Sequence, residues 1–138
     1  MKESKKVIAI KIEPHKRAKV IEQGTELFEL QNAVDGYIEL AYPFQSSVCI
    51  VCNEEGKITE IPNRLIADEK TGFYDVIYGT FLIMRSNNGG FQSLTERDIK
   101  KYLPLFDKPH LFIDRKLIEV EAPIDTDDLR FRYIHSEN

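Results

Sequence analysis

The chain of 138 residues has no tryptophan, two cysteines, two methionines and three histidines. Each scarcity excludes something. Two cysteines cannot build the multi-bridge framework of a small secreted domain. No apolar run approaches the ~20 residues that a membrane-spanning helix needs, and the opening MKESKKVIAIKIE lacks the hydrophobic stretch of a secretory signal. The common catalytic motifs are missing too: there is no Gly-x-Ser-x-Gly elbow, phosphate-binding loop, Gly-x-Gly-x-x-Gly turn or His-Glu-x-x-His pair. The expectation is a non-enzyme without a cofactor.

What is present is ordinary for a globular protein, 42% hydrophobic and 30% charged, and a chain of this size buries about two-thirds of its unfolded surface without disulfide or metal support. The net charge of −4 is unevenly spread. Residues 1–19 contain seven basic and two acidic groups, so the remainder is strongly acidic. Generic nucleic-acid binding is not expected of such a balance.

Periodicity organises the chain. Lys6–Glu13 alternates, with Ile8, Ile10 and Ile12 on one face, and predicts a strand; Pro14–Arg17 turns it, and Ala18–Glu22 returns. A helix follows over Glu26–Val34, with Thr25 placed to cap it and Asp35-Gly36 to end it, Gly36 taking the left-handed conformation. Tyr37–Tyr42 and the continuously apolar Val48–Cys52 predict an outer and a central strand. Asn53–Lys57 reads as a hairpin turn with Gly56 at positive φ, and Ile58–Ile61 as its return strand; the stretch from Pro62 to Gly72 reads as a long loop. Tyr74–Tyr78 and Thr80–Met84 are strand-like about Gly79, and Asn87–Gly90 is a turn. Thr95 and Asp98 form a capping box for a second helix that Pro104 kinks or ends. Leu111–Ile113 and Leu117–Val120 form a hairpin, followed by a polar, loosely held tail with Phe131 and Tyr133 as anchors.

Several side chains invite chemistry. Cys49 and Cys52 are three apart in a strand, point to opposite faces and cannot readily meet, and His15, His110 and His135 show no spacing that would complete a zinc site. Arg64 has two readings: with Asn63 it offers a planar fork to a phosphate or carboxylate, or it pins a loop by binding backbone carbonyls or Glu54, Glu55 or Asp68. Tyr37, Tyr42, Tyr74 and Tyr78 could line a pocket with Phe44, or pack as amphipathic sheet residues. Glu119, Glu121, Asp125, Asp127 and Asp128, with no positive residue among them, could imitate nucleic-acid phosphates or form a solvated tail.

The middle of the chain carries a set of multi-residue motifs: Gly36-Tyr37-Ile38-Glu39, Tyr42-Pro43-Phe44, Val51-Cys52-Asn53-Glu54-Glu55-Gly56-Lys57, Pro62-Asn63-Arg64, Tyr74-Asp75-Val76-Ile77-Tyr78-Gly79-Thr80-Phe81 and Ser93-Leu94-Thr95. In this order they resemble a domain-of-unknown-function family of small proteins found in bacterial mobile elements, plasmids and phages. Asp35 stands where that family often has Gly, and residues beyond 109 lie outside the pattern. The resemblance implies a cytoplasmic bacterial accessory protein acting against or alongside host machinery.

The expected fold is α+β, a mostly antiparallel sheet with two helices packed on it, with a family-like region at 1–109 and a C-terminal hairpin and polar tail at 110–138. The expected function is non-enzymatic binding, interfering with host defence by engaging a host protein or a small anionic ligand. For the ligand, Arg64 and Asn63 are the anchors and Tyr42 and Phe44 the apolar wall, so that Arg64→Ala should abolish ligand-dependent stabilisation without unfolding the protein. The alternatives are an acidic mimic of nucleic acid acting on a DNA-handling enzyme, and a ligand-free interaction or scaffold domain.

Overall fold

Alternation at the start of the chain sets up the whole architecture. In the computed structural model, which describes residues 5–134, β1 (Lys6–Ile12) pairs antiparallel with β2 (Lys19–Gly24). Both faces of β1 are buried: Ile10 and Ile12 point to one core, Val7 and Ala9 to another. After α1 (Leu27–Val34) come β3 (Ile38–Ala41), β4 (Val48–Asn53) and a one-turn helix, α2 (Gly56–Thr59). The hairpin β5 (Pro62–Ala67) and β6 (Tyr74–Tyr78) leads into β7 (Phe81–Asn87) and β8 (Gly90–Gln92). The chain closes with α3 (Glu96–Phe106), the hairpin β9 (His110–Ile113) and β10 (Lys116–Glu119), and α4 (Arg130–Ile134).

The main sheet runs β2-β1-β7-β4-β3, with β8 added to the end of β7, and every pairing is antiparallel. Of the three inner strands, β4 and β7 are the continuously apolar ones, as a sheet covered on both faces requires. One face is covered by α1, whose Leu30 and Val34 meet Val7, Ala9, Cys49, Val51, Leu82 and Met84. The other is covered by α3, where Phe44 lies 4.5 Å from Tyr102 and Phe81 lies 5.7 Å from Phe106, ring centre to ring centre. The β5–β6 hairpin forms its own two-stranded sheet and packs Ile66 and Ile77 against this second core. The fold is α+β, with α1 and α3 as the two covering helices.

Local details depart from expectation where a side chain finds a better use. Glu26, not Thr25, caps α1: it forms a reciprocal box with Glu29, while the Thr25 hydroxyl donates to Lys5 O. Asp35, not Gly36, adopts the left-handed conformation (φ 62°). Gly36 is required by proximity, because a Cβ there would come within 2.6 Å of Asn53 Nδ2. Gly56 does not take positive φ, and the expected return strand after it is α2. The expected loop after Pro62 is β5, paired with β6 through a register shift at Pro62/Arg64. Its polar residues Asn63 and Arg64 are accommodated because both, though buried, donate to backbone carbonyls. Pro104 is tolerated inside α3, which ends two residues later.

The tail is the largest correction. Val20 N–H donates to Asp128 Oδ1 and Leu129 N–H to Val20 O, so the chain around Asp128 closes part of the β2 edge. Arg130 is buried and reaches Ala18 O at 2.6 Å. Polar composition suggested a loose tail; ion pairs to distant residues hold it. Lys2 and His135 lie outside the described residues.

Candidate functional site

A cleft of about 390 Å³ lies where the β5–β6 hairpin and α2 meet the β3 end of the main sheet. Its floor follows from strand alternation. Ala41 pairs with Ile50 and Glu39 with Cys52, so all four point to one face, and Ile66 and Ile77 close the floor from the hairpin. Asp75, Val76, Ile77 and Tyr78 all line the cleft. Side chains of consecutive strand residues alternate in direction, so the edge of β6 that is not paired with β5 runs along the cleft. On that edge Val76 N–H donates to its neighbour's carboxylate, Asp75 Oδ1, at 2.8 Å. At one end the loops are stapled: Glu69 N–H donates to Pro43 O, and Gln45 N–H to Glu69 Oε1. At the other, Asn53 donates to Val34 O and Asp35 O and accepts from Glu55 N–H, tying the end of α1 to the turn that begins α2.

Above the apolar floor the lip is acidic. Glu39, Glu54, Glu55, Asp68 and Asp75 line it against a single lysine, Lys57, which sits 3.1 Å from Asp75. Large apolar side chains stand in solvent at the same place: Ile58 is 82% exposed, Phe73 76% and Tyr42 44%. Cys52 looks into the cleft and Cys49 is buried on the opposite face against α1. Burial pushes both thiols up to about 11, with the Glu39 carboxylate adding to the effect at Cys52. Both stay protonated at neutral pH, which is unfavourable for a nucleophile or metal ligand. Among the described residues, no group of three His, Cys, Asp or Glu is placed to hold a metal ion.

The four residues singled out from sequence do not converge. Tyr42 lines the cleft and hydrogen-bonds Ser86 Oγ at 3.4 Å. Phe44 is in the aromatic core with Tyr102 and Phe106. Arg64 is fully buried and donates to Phe106 O, Lys16 O and Asn63 Oδ1 at 3.0, 2.6 and 2.7 Å. Asn63, also fully buried, donates to Ile12 O and Gly79 O. The loop-pinning reading of Arg64 is therefore the one the geometry matches, with carbonyls rather than carboxylates as acceptors. Burial pushes the guanidinium down to about 10, against the nearby Asp107 charge that raises it, and it remains a cation at neutral pH. An Arg64→Ala substitution accordingly removes part of the core, contrary to the expectation that it leaves the fold intact.

The other tyrosines divide. Tyr78 lines the cleft, while Tyr37 and Tyr74 are exposed outside its lining. Four of the five carboxylates of the C-terminal region are ion-paired within the molecule. Lys19 pairs with Asp125 and Asp127, Lys108 with Glu121 and Arg130 with Asp128, while His110 Nε2 lies 3.6 Å from Glu119. Sequence reasoning missed the place of Glu39, Ile58, Asp68 and Phe73 in the cleft lining; the available signal was an apolar pair, Phe73-Tyr74, set in a polar stretch.

A family model described as a domain of unknown function, DUF3846, matches residues 5–107. No curated protein and no solved structure matches the chain.

Proposed function

We propose, from the premise that this chain belongs to the DUF3846 domain-of-unknown-function family through residues 5–107, that it is a non-catalytic binding protein whose cleft engages another protein. The observation that carries this reading is the open β6 edge beside an apolar floor, with Ile58 and Phe73 left largely in solvent at its lip. Exposed apolar groups gathered at a concave site mark an interaction surface, whereas scattered ones do not. The sequence resemblance supplies the setting: a mobile element or phage, a cytoplasmic location, and a host protein as the target, with interference in host defence as the service performed. A small anionic ligand is the weaker occupant, because Arg64 and Asn63 serve core carbonyls and the lip's lysine faces Asp75.

The test is selection of a random-sequence peptide library on the protein, followed by screening of the clones against an Ile58→Ser/Phe73→Ala double variant. Both side chains are mostly exposed, so the variant should melt close to the parent. Clones that lose binding to the variant support the cleft. Clones that bind both proteins equally place the interaction elsewhere and remove it.

A further inference from the structure

Resting on the reading of the cleft as a protein-binding site, we infer that its occupant is an extended segment of the partner in which apolar residues are flanked by lysine or arginine. The apolar half of this specificity comes from the floor of Ala41, Ile50 and Ile66. A volume of about 390 Å³ falls in the ~300–1,000 Å³ range of pockets that accept a ligand larger than one side chain. The extended conformation comes from β6. Among the described residues it pairs with β5 alone, its free edge around Val76 faces the cleft, and a segment laid along that edge would gain main-chain hydrogen bonds as an added strand.

The basic flanks follow from charge. Five carboxylates line the site against one lysine, and among the described residues Glu39, Glu54 and Glu55 form no ion pair. Three uncompensated carboxylates around one opening repel an acidic segment and favour a basic one, and they speed its arrival by steering. Each such contact in an exposed lip is weak, so the acids select the partner while the apolar floor holds it. Val76 marks the register: its amide now rests on Asp75, whose carboxylate also faces Lys57. A basic residue of the partner can take the place of Lys57 at Asp75 and leave the Val76 amide to the added strand.

The same random-sequence library tests this. Clones that depend on Ile58 and Phe73 should be enriched in Lys and Arg. A synthetic peptide from such a clone should bind roughly tenfold more weakly at high salt and slow hydrogen exchange at β6 amides, Val76 included. The Glu39→Gln/Glu54→Gln/Glu55→Gln variant should lose affinity for it by roughly tenfold, and Glu→Lys changes at the same three positions should shift selection to acidic clones. Cleft-dependent clones with no basic excess and no salt dependence would overturn the inference while leaving the cleft as the binding site. Basic clones indifferent to Ile58→Ser/Phe73→Ala, or no cleft-dependent clones at all, would overturn both.

Discussion

Arg64 shows how a single residue can look functional and be architectural. Its fork satisfies acceptors from two distant parts of the chain, Phe106 O and Lys16 O, and the side-chain oxygen of its neighbour, Asn63 Oδ1. Truncation to Ala strands these buried acceptors and leaves a cavity. The expected loss is about 3 kcal/mol or more, read as a lower urea midpoint; a loss below ~1 kcal/mol would mean that water replaces the guanidinium. Sequence supplied the two roles open to Arg64, but it could not choose between them, because the deciding acceptors lie up to 48 residues away. Asp107 gives the pH counterpart. Burial would raise its carboxyl, yet hydrogen bonds from Arg17 and Arg130 prevail and hold it at about 2, below its ordinary 3.8. A carboxyl depressed in the folded state contributes stability that is present above the unfolded value and lost as pH falls. Asp107 should therefore contribute on the order of 1–2 kcal/mol after solvent screening, lost between about pH 3.8 and 2. Acid titrations of Asp107→Asn and the parent, followed by circular dichroism, should show the parent's extra stability vanish in that window.

At the scale of elements, the sequence was most legible where structure depends on neighbours in the chain. The alternation of β1, the apolar runs of β4 and β7, the Asn87–Gly90 turn and the Thr95/Asp98 capping box all appear as read. Thr95→Ala should cost about 1 kcal/mol, measured by thermal melting, since Asp98 N–H loses its acceptor and Asp98 itself must still pair with Arg85. The stretch from Gly56 to Ala67 was misread because its elements are chosen by packing. Helix α2 exists where Gly56 comes close to β6, and a Cβ at this position would meet Tyr78 O at 2.8 Å, a backbone atom that cannot step aside. Gly56→Ala should therefore cost ~1–3 kcal/mol and alter the cleft wall. Denaturant unfolding gives the first, and loss of the cleft-dependent peptides the second.

For the molecule as a whole, the C-terminal region outside the matched family segment is fastened to it by the charges that composition made conspicuous. Arg130 bonds Asp107 and Ala18 O, and Leu129 and Tyr133 pack on the core beside α3. Truncation after residue 109 should leave Asp107 with Arg17 alone and uncover that core edge. The melting temperature should fall by roughly 10 °C, as expected for ~3 kcal/mol in a domain of this size; an unchanged value would make the region a passive appendage. The amino-acid order by itself determined the α+β class, the central strands, the capping of α3 and the uneven charge, because periods of two and 3.6 residues and caps are local properties. Only the tertiary structure decided that Arg64 and Asn63 turn inward, that the acidic C-terminal residues are mostly paired, and that acids from β3, β6 and two loops share one lip. Those outcomes depend on which distant groups arrive within hydrogen-bonding or Coulombic reach, and no local pattern encodes that distance.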